Sequence, residues 1–193
     1  MKHKFIFSSL VILAACSQPD ASVDQTGEWL PALPAGARTE AAPDVAGMVR
    51  VNLQDDAGKL SAAGVYVNNK REGSWTEYHS NGLVKSITPY VNGLKEGIFV
   101  ELSETGQLLR RVSYHRDQRD GEYREYNYST LKEERFYANG KLEGAVKIYY
   151  PDGKIMEEGN YVNGLRDGAS KWYDQQGNLT IEYEYKAGEL VKK

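Results

Sequence analysis

The sequence predicts an all-β fold: a single-layer antiparallel β-meander of tandem β-hairpin repeats, each about 24 residues long. Three observations carry the prediction. Tyr66, Tyr90, Tyr114, Tyr137, Tyr161 and Tyr185 recur at intervals of 24, 24, 23, 24 and 24 residues. Gly73, Gly97, Gly121, Gly144 and Gly168 keep the same phase. The third residue after each of those tyrosines is Asn69, Gly93, Asp117, Gly140, Gly164 or Gly188, all of residue types that tolerate positive φ. Such a position is held by backbone geometry, which makes it a turn.

Each unit reads as two strands and two turns. Gly73 to Tyr78 makes a first strand, His79 to Gly82 a turn, Leu83 to Tyr90 a second strand, and Val91 to Gly97 a second turn. Asn-Gly and Asp-Gly between short aromatic and β-branched runs are strong local hairpin signals. The second strands alternate: Leu108, Arg110, Val112 and Tyr114 share a face, as do Leu179, Ile181, Tyr183 and Tyr185. That period of two describes half-buried strands. In the first strands Trp75, Phe99, Tyr123 and Val146 follow the landmark glycine by two residues and are expected to stack on one another across strands. The small residues Ala62, Gly64, Ser86 and Gly159 leave room for the sheet to coil. One unit departs from the pattern. Thr130 stands where the others have a turn glycine, and that unit is one residue short, so its turn must differ.

The N-terminus reads as a targeting segment. Lys2, His3 and Lys4 precede an apolar run from Phe5 to Ala15, too short to span a bilayer but suited to a signal peptide. The run ends in Leu13-Ala14-Ala15-Cys16, which resembles a bacterial lipobox. That resemblance implies cleavage before Cys16 and lipidation of its sulfur. Ser17, where some lipoproteins carry an inner-membrane Asp signal, resembles an outer-membrane sorting context. Residues 17 to about 46 are acidic, hold four of the six prolines and carry no strand or helix period, as a disordered tether would. The expected organisation is therefore a signal peptide at 1–15, a lipidated cysteine and tether at 16–47, and a repeat domain at 48–193.

Tyr90 to Gly97 and Tyr161 to Gly168, each Tyr-Val-Asn-Gly-Leu-Lys/Arg-Glu/Asp-Gly, resemble the MORN-repeat variant of bacterial proteins of the YwqK antitoxin type. The resemblance covers about residues 58 to 190. It implies an elongated single-layer sheet used for binding, with no shared active site.

Catalytic chemistry is missing from the sequence. His79 and His115 each follow a tyrosine near a turn, with no second histidine to suggest a metal. No nucleophile elbow, zinc-helix motif, phosphate loop or dinucleotide fingerprint occurs, so neither an enzyme, a metal nor a cofactor is expected. Glu72, Glu96, Asp120, Glu143 and Asp167 precede the landmark glycines as a row of turn residues. Arg71, Lys95, Arg119 and Arg166 stand beside four of them and are expected to neutralise the row. From Met48 onward 21 Lys+Arg face 22 Asp+Glu, which leaves no basic stripe for nucleic acid.

The functional expectation is a lipid-anchored envelope protein that binds a protein partner, in its sharper form an immunity protein against a periplasm-acting toxin. The alternative is a structural envelope scaffold, or a membrane-contact protein, without a dedicated partner. The expected partner face pairs the aromatic row Trp75, Phe99 and Tyr123 with the carboxylates Glu77, Glu101 and Glu125. The bland reading of the same residues is the covered face of a coiled sheet.

Overall fold

The computed structural model describes residues 37–42 and 45–192. The signal peptide, Cys16 and most of the tether lie outside the described residues. Within them the chain forms strands joined by tight turns, and no helix.

The strands are β1 (Arg38–Ala41), β2 (Met48–Gln54), β3 (Leu60–Val67), β4 (Lys70–Tyr78), β5 (Val84–Val91) and β6 (Leu94–Lys95). They continue as β7 (Gly97–Leu102), β8 (Leu108–His115), β9 (Gln118–Asn127), β10 (Thr130–Ala138), β11 (Lys141–Leu142) and β12 (Gly144–Tyr149). The last are β13 (Ile155–Val162), β14 (Leu165–Arg166), β15 (Gly168–Tyr173), β16 (Leu179–Lys186) and β17 (Glu189–Lys192). Every pairing is antiparallel and joins neighbours in sequence, so the whole is one up-and-down meander. The two-residue strands β6, β11 and β14 are the first parts of β7, β12 and β15, each parted from the rest by one acidic residue, Glu96, Glu143 or Asp167. In β4 and β9 the matching strand runs unbroken.

Two rows of turns border the sheet. Along one margin run two-residue turns with both central residues at positive φ, such as Asn92 (51°) with Gly93 (86°) and Asn163 (54°) with Gly164 (87°). This is the hairpin turn whose twist matches the strands, and it explains the Gly, Asn and Asp at the third position after each landmark tyrosine. The position before it is under the same constraint, yet it also holds Arg116 (48°) and Ala187 (48°). Along the other margin, turns such as His79 to Gly82 and Ser103 to Gly106 close through the glycine N–H to the first carbonyl, 2.9 Å in each case. The short unit breaks this second row. Asn127 pairs directly with Thr130, and Tyr128 (48°) and Ser129 (68°) form a two-residue turn in place of the longer one.

The sheet is a single layer, and its interior is one of its own faces. Val49, Val51, Ala62, Tyr66, Trp75 and Tyr90 form one buried cluster on it, and Val112, Tyr123 and Tyr137 another. Gly64 lies under the Trp75 ring: a Cβ there would fall 2.0 Å from Cε3. The expected stacking of Trp75, Phe99 and Tyr123 on one another does not occur, because a strand intervenes between each pair. Trp75 faces Thr88, while Phe99 and Tyr123 both face Val112. Each ring instead meets a tyrosine of an adjoining strand edge-on: Trp75 with Tyr66 at 5.6 Å, Phe99 with Tyr114 at 6.4 Å, Tyr123 with Tyr137 at 6.2 Å.

Among the described residues the sheet begins at Arg38 rather than at Met48. Arg38 to Ala41, within the stretch read as tether, pairs with Asn52 to Val49. An edge strand is held by backbone hydrogen bonds alone, so it needs no apolar period. Its residues are mostly exposed.

Candidate functional site

The aromatic face is built from a repeated cross-strand set. Four residues before Trp75, Arg71 lays its guanidinium 4.4 Å from that ring and 5.3 Å from Tyr90, and donates to the Tyr90 hydroxyl at 3.0 Å. Arg119 sits between Tyr123 and Tyr137 at 5.5 and 5.3 Å. Arg166 lies over Tyr161, Trp172 and Tyr185 at 5.4 to 5.6 Å, and Lys95 over Tyr114 at 5.2 Å. A guanidinium on a ring face gains from the ring quadrupole and covers apolar surface with its stem.

These cations therefore do not neutralise the acidic row, as the sequence led one to expect. Successive residues of a strand point to opposite faces, and the bulge at the acid turns its carboxylate sideways instead. Glu72 accepts from the N–H of Asn92 at 2.8 Å, Glu96 from Arg116 at 3.1 Å, Glu143 from Asn163 at 2.8 Å and Asp167 from Ala187 at 3.1 Å. Four of the five acids thus cap the turn of the following unit. Backbone bonds run beside them, Gly93 N–H to Arg71 and Gly164 N–H to Leu142 among them.

The residues singled out for partner contact share the aromatic face. Trp75 is 4% and Tyr123 7% exposed, and Phe99 is half-buried. Glu77 is exposed and accepts from Ser86 Oγ at 3.2 Å. Glu101 pairs with Arg110 at 2.5 Å. Glu125 accepts from Lys132 at 2.6 Å and from the Tyr123 hydroxyl at 2.8 Å. The Lys132 bond holds the Glu125 carboxyl below its ordinary range. Burial, with the bond to Glu125 second, pushes the Tyr123 hydroxyl up to about 12. Glu101, Arg110, Glu125 and Glu133 follow one another across neighbouring strands. The like-charged Glu125 and Glu133 stand directly opposite, and Lys132 and Arg135 relieve them.

The opposite face carries a second row that the sequence reading passed over. Arg124, Glu134, Lys147, Glu158, Lys171 and Glu182 stand opposite one another in strict sign alternation. Tyr149 and Tyr173 donate to Glu134 and Glu158, each at 2.6 Å. The signal was available: these residues sit one position off the aromatic face, at the unit period. Among the described residues no group of three or more His, Cys, Asp or Glu is placed to hold a metal, and no helix is long and apolar enough to cross a membrane.

Three segments, residues 71–92, 142–163 and 166–187, match the family model described as the MORN repeat variant. Two of them start at Arg71 and Arg166 and the third at Leu142, the equivalent position of its unit, and each ends on the first residue of a two-residue turn. No curated protein matches the chain. Among solved structures, one described as the crystal structure of the GtfA/B complex bound to UDP and GlcNAc is 18% identical, over 80% of this chain and 25% of that one, with a TM-score of 0.23. A likeness at that level extends to neither activity nor ligand. The chain thus carries three segments similar to the MORN repeat variant, set within one all-β antiparallel sheet whose turns repeat the same geometry.

Proposed function

We propose that the chain is a non-enzymatic protein-binding module of the cell envelope, held to the membrane by lipid on Cys16, with the aromatic face as its partner surface. The supporting observation is that this face has no second layer over it among the described residues. Its rings are covered only by side chains of the same sheet, Arg71, Arg119 and Arg166 foremost. Tyrosine, tryptophan and arginine are the residues that dominate protein interfaces. Glu77, Glu101 and Glu125 flank the rings, and the pairs of Glu101 with Arg110 and Glu125 with Lys132 are ones a charged partner would exchange for its own contacts. In the sharper form the partner is a toxin acting in the periplasm, and this chain is its immunity protein.

The test is capture of partners from envelope extract by the intact chain and by a variant with Glu77, Glu101 and Glu125 all changed to Lys. Loss of one reproducible partner, with the variant still folded by circular dichroism, supports the reading. Undiminished capture with the same salt dependence places binding elsewhere. A second reading, a structural envelope element, draws on the burial of Trp75 and Tyr123. It is favoured if no specific partner is captured at all.

A further inference from the structure

The margin broken by the short unit carries a cleft. Elsewhere along it, side chains of one turn bond to the backbone of the next. Lys59 donates to the Ser80 carbonyl at 3.0 Å, Asn81 to Glu104 at 2.7 Å, Tyr150 to Tyr173 at 2.8 Å and Lys154 to Gln175 at 2.7 Å. No such bond reaches the Tyr128–Ser129 turn from either side among the described residues. There the margin opens into a cavity of about 250 Å³ whose walls are Tyr128, Leu131, Tyr149, Tyr150 and Pro151, with the polar Asn127, Thr130 and Lys132 among them. Tyr128 is 81% exposed and holds φ at 48°, a conformation that a bulky side chain adopts only under strain. A strained, exposed aromatic that packs no core is the kind of outlier from which function is inferred.

The walls decide the class of occupant. Tyr149 has committed its hydroxyl to Glu134 at 2.6 Å and Tyr150 has committed its own to the Tyr173 carbonyl. Lys132 is paired with Glu125. Asn127, Thr130 and the Tyr128 hydroxyl are the remaining polar groups of its lining. The cleft therefore offers ring faces with a few hydrogen-bonding groups beside them, which suits an extended peptide that packs rings and prolines on the tyrosines while its solvated carbonyls meet the polar groups. It also lies at a turn margin and not at a sheet edge, so no ladder of backbone bonds awaits an added strand. Proline-containing extended segments dock in such aromatic grooves, because their conformation is preset and their backbone stays solvated.

The chain carries one segment of that chemistry, Trp29-Leu30-Pro31-Ala32-Leu33-Pro34, whose prolines have the P-x-x-P spacing. It precedes Arg38, which pairs with Asn52 at the end of β2 next to the same turn margin. It cannot fill its own cleft. The nearer wall, on β9, is seven strand spacings from β1, about 34 Å. A fully extended chain covers at most about 32 Å from Arg38 to Trp29, and about 14 Å to Pro34. We propose that the cleft between the Tyr128–Ser129 and Tyr150–Pro151 turns binds the Trp29–Pro34 segment of a second copy of this chain.

Sedimentation equilibrium of the full chain in density-matched detergent tests this. The unaltered chain should self-associate reversibly. Tyr128→Gly, which suits the turn and removes the ring, should weaken association at least roughly tenfold, as should Pro31→Ala combined with Pro34→Ala. Circular dichroism identical to that of the parent shows that each variant is folded. Mixing the two variants should restore a 1:1 complex, since one supplies the cleft and the other the segment. A parent chain monomeric to about 100 μM, variants that associate like the parent, or a mixture that does not associate would each overturn the proposal. So would Tyr128-dependent binding of a synthetic peptide spanning residues 28–36 to a parent chain that stays monomeric, which would give the cleft to another protein's segment.

Discussion

The carboxylate of Glu72 accepts a hydrogen bond at 2.8 Å from the backbone N–H of Asn92, twenty residues further along the chain. The bond ties one repeat to the turn of the next, and Glu143 repeats it on Asn163. Each unit thereby completes its neighbour, as stacked repeats do elsewhere. Glu143→Ala should cost about 1 kcal/mol of stability, read from urea denaturation. Glu143→Gln, which keeps an acceptor oxygen, should cost less. Equal stability in both variants would show that the caps contribute nothing.

The caps set an acid limit. Glu96 lies below the ordinary carboxylate range chiefly through its hydrogen bond with His115, and then through the N–H of Arg116. Asp167 lies below it chiefly through the N–H of Ala187, with Lys186 second. A carboxyl depressed in the folded state adds stability above its unfolded pKa, and that stability is lost as pH falls through the folded value. Stability should thus be level above the ordinary carboxylate values of 4.5 and 3.8 and should fall below them. Combined Glu96→Gln and Asp167→Asn should flatten the acid limb measured between about pH 5 and pH 2.5. An unchanged limb in that variant would assign the acid loss to other carboxylates.

Two glycines should fail for different reasons. Gly64→Ala drives a methyl into the Trp75 ring and should cost about 1–3 kcal/mol, with altered tryptophan fluorescence. Gly168 holds φ at 96° with nothing within 4 Å of a built Cβ. Gly168→Val should cost a similar 1–3 kcal/mol or so through backbone strain alone, and leave the fluorescence unchanged.

At the short unit, Tyr128→Asn combined with Ser129→Gly installs the preferred residues of a two-residue hairpin turn. Melting should show a gain of about 1 kcal/mol. A loss would mean that the Tyr128 side chain supports the fold, and would remove the strain argument for the cleft.

Cys16→Ser should abolish acyl labelling and release the chain from membranes. Membrane association unchanged in that variant would defeat the lipid anchor.

What the sequence determined by itself was the unit, its turns and its period. Positive φ at Gly93, Gly140 and Gly164 is a local demand of the backbone, and only a few residue types meet it, so the turns are written in composition. Strand alternation is equally local, and it placed Val112 and Tyr66 on the covered face. The tertiary structure alone decided where side chains meet across strands. Arg71 could have paired with Glu72 beside it; instead its neighbours in space are Trp75 and Tyr90, while Glu72 reaches Asn92. Those partners depend on the register between strands and on the bulge at the acid, which no single segment encodes. The strand at Arg38 to Ala41 was hidden for a related reason, since an exposed edge is recognised by its partner's free backbone and not by its own side chains. The turn at Tyr128 and Ser129 shows the same division. The missing residue was visible as a break in the period, but only the paired strands on either side forced those two residues into positive φ and opened the cleft beside them.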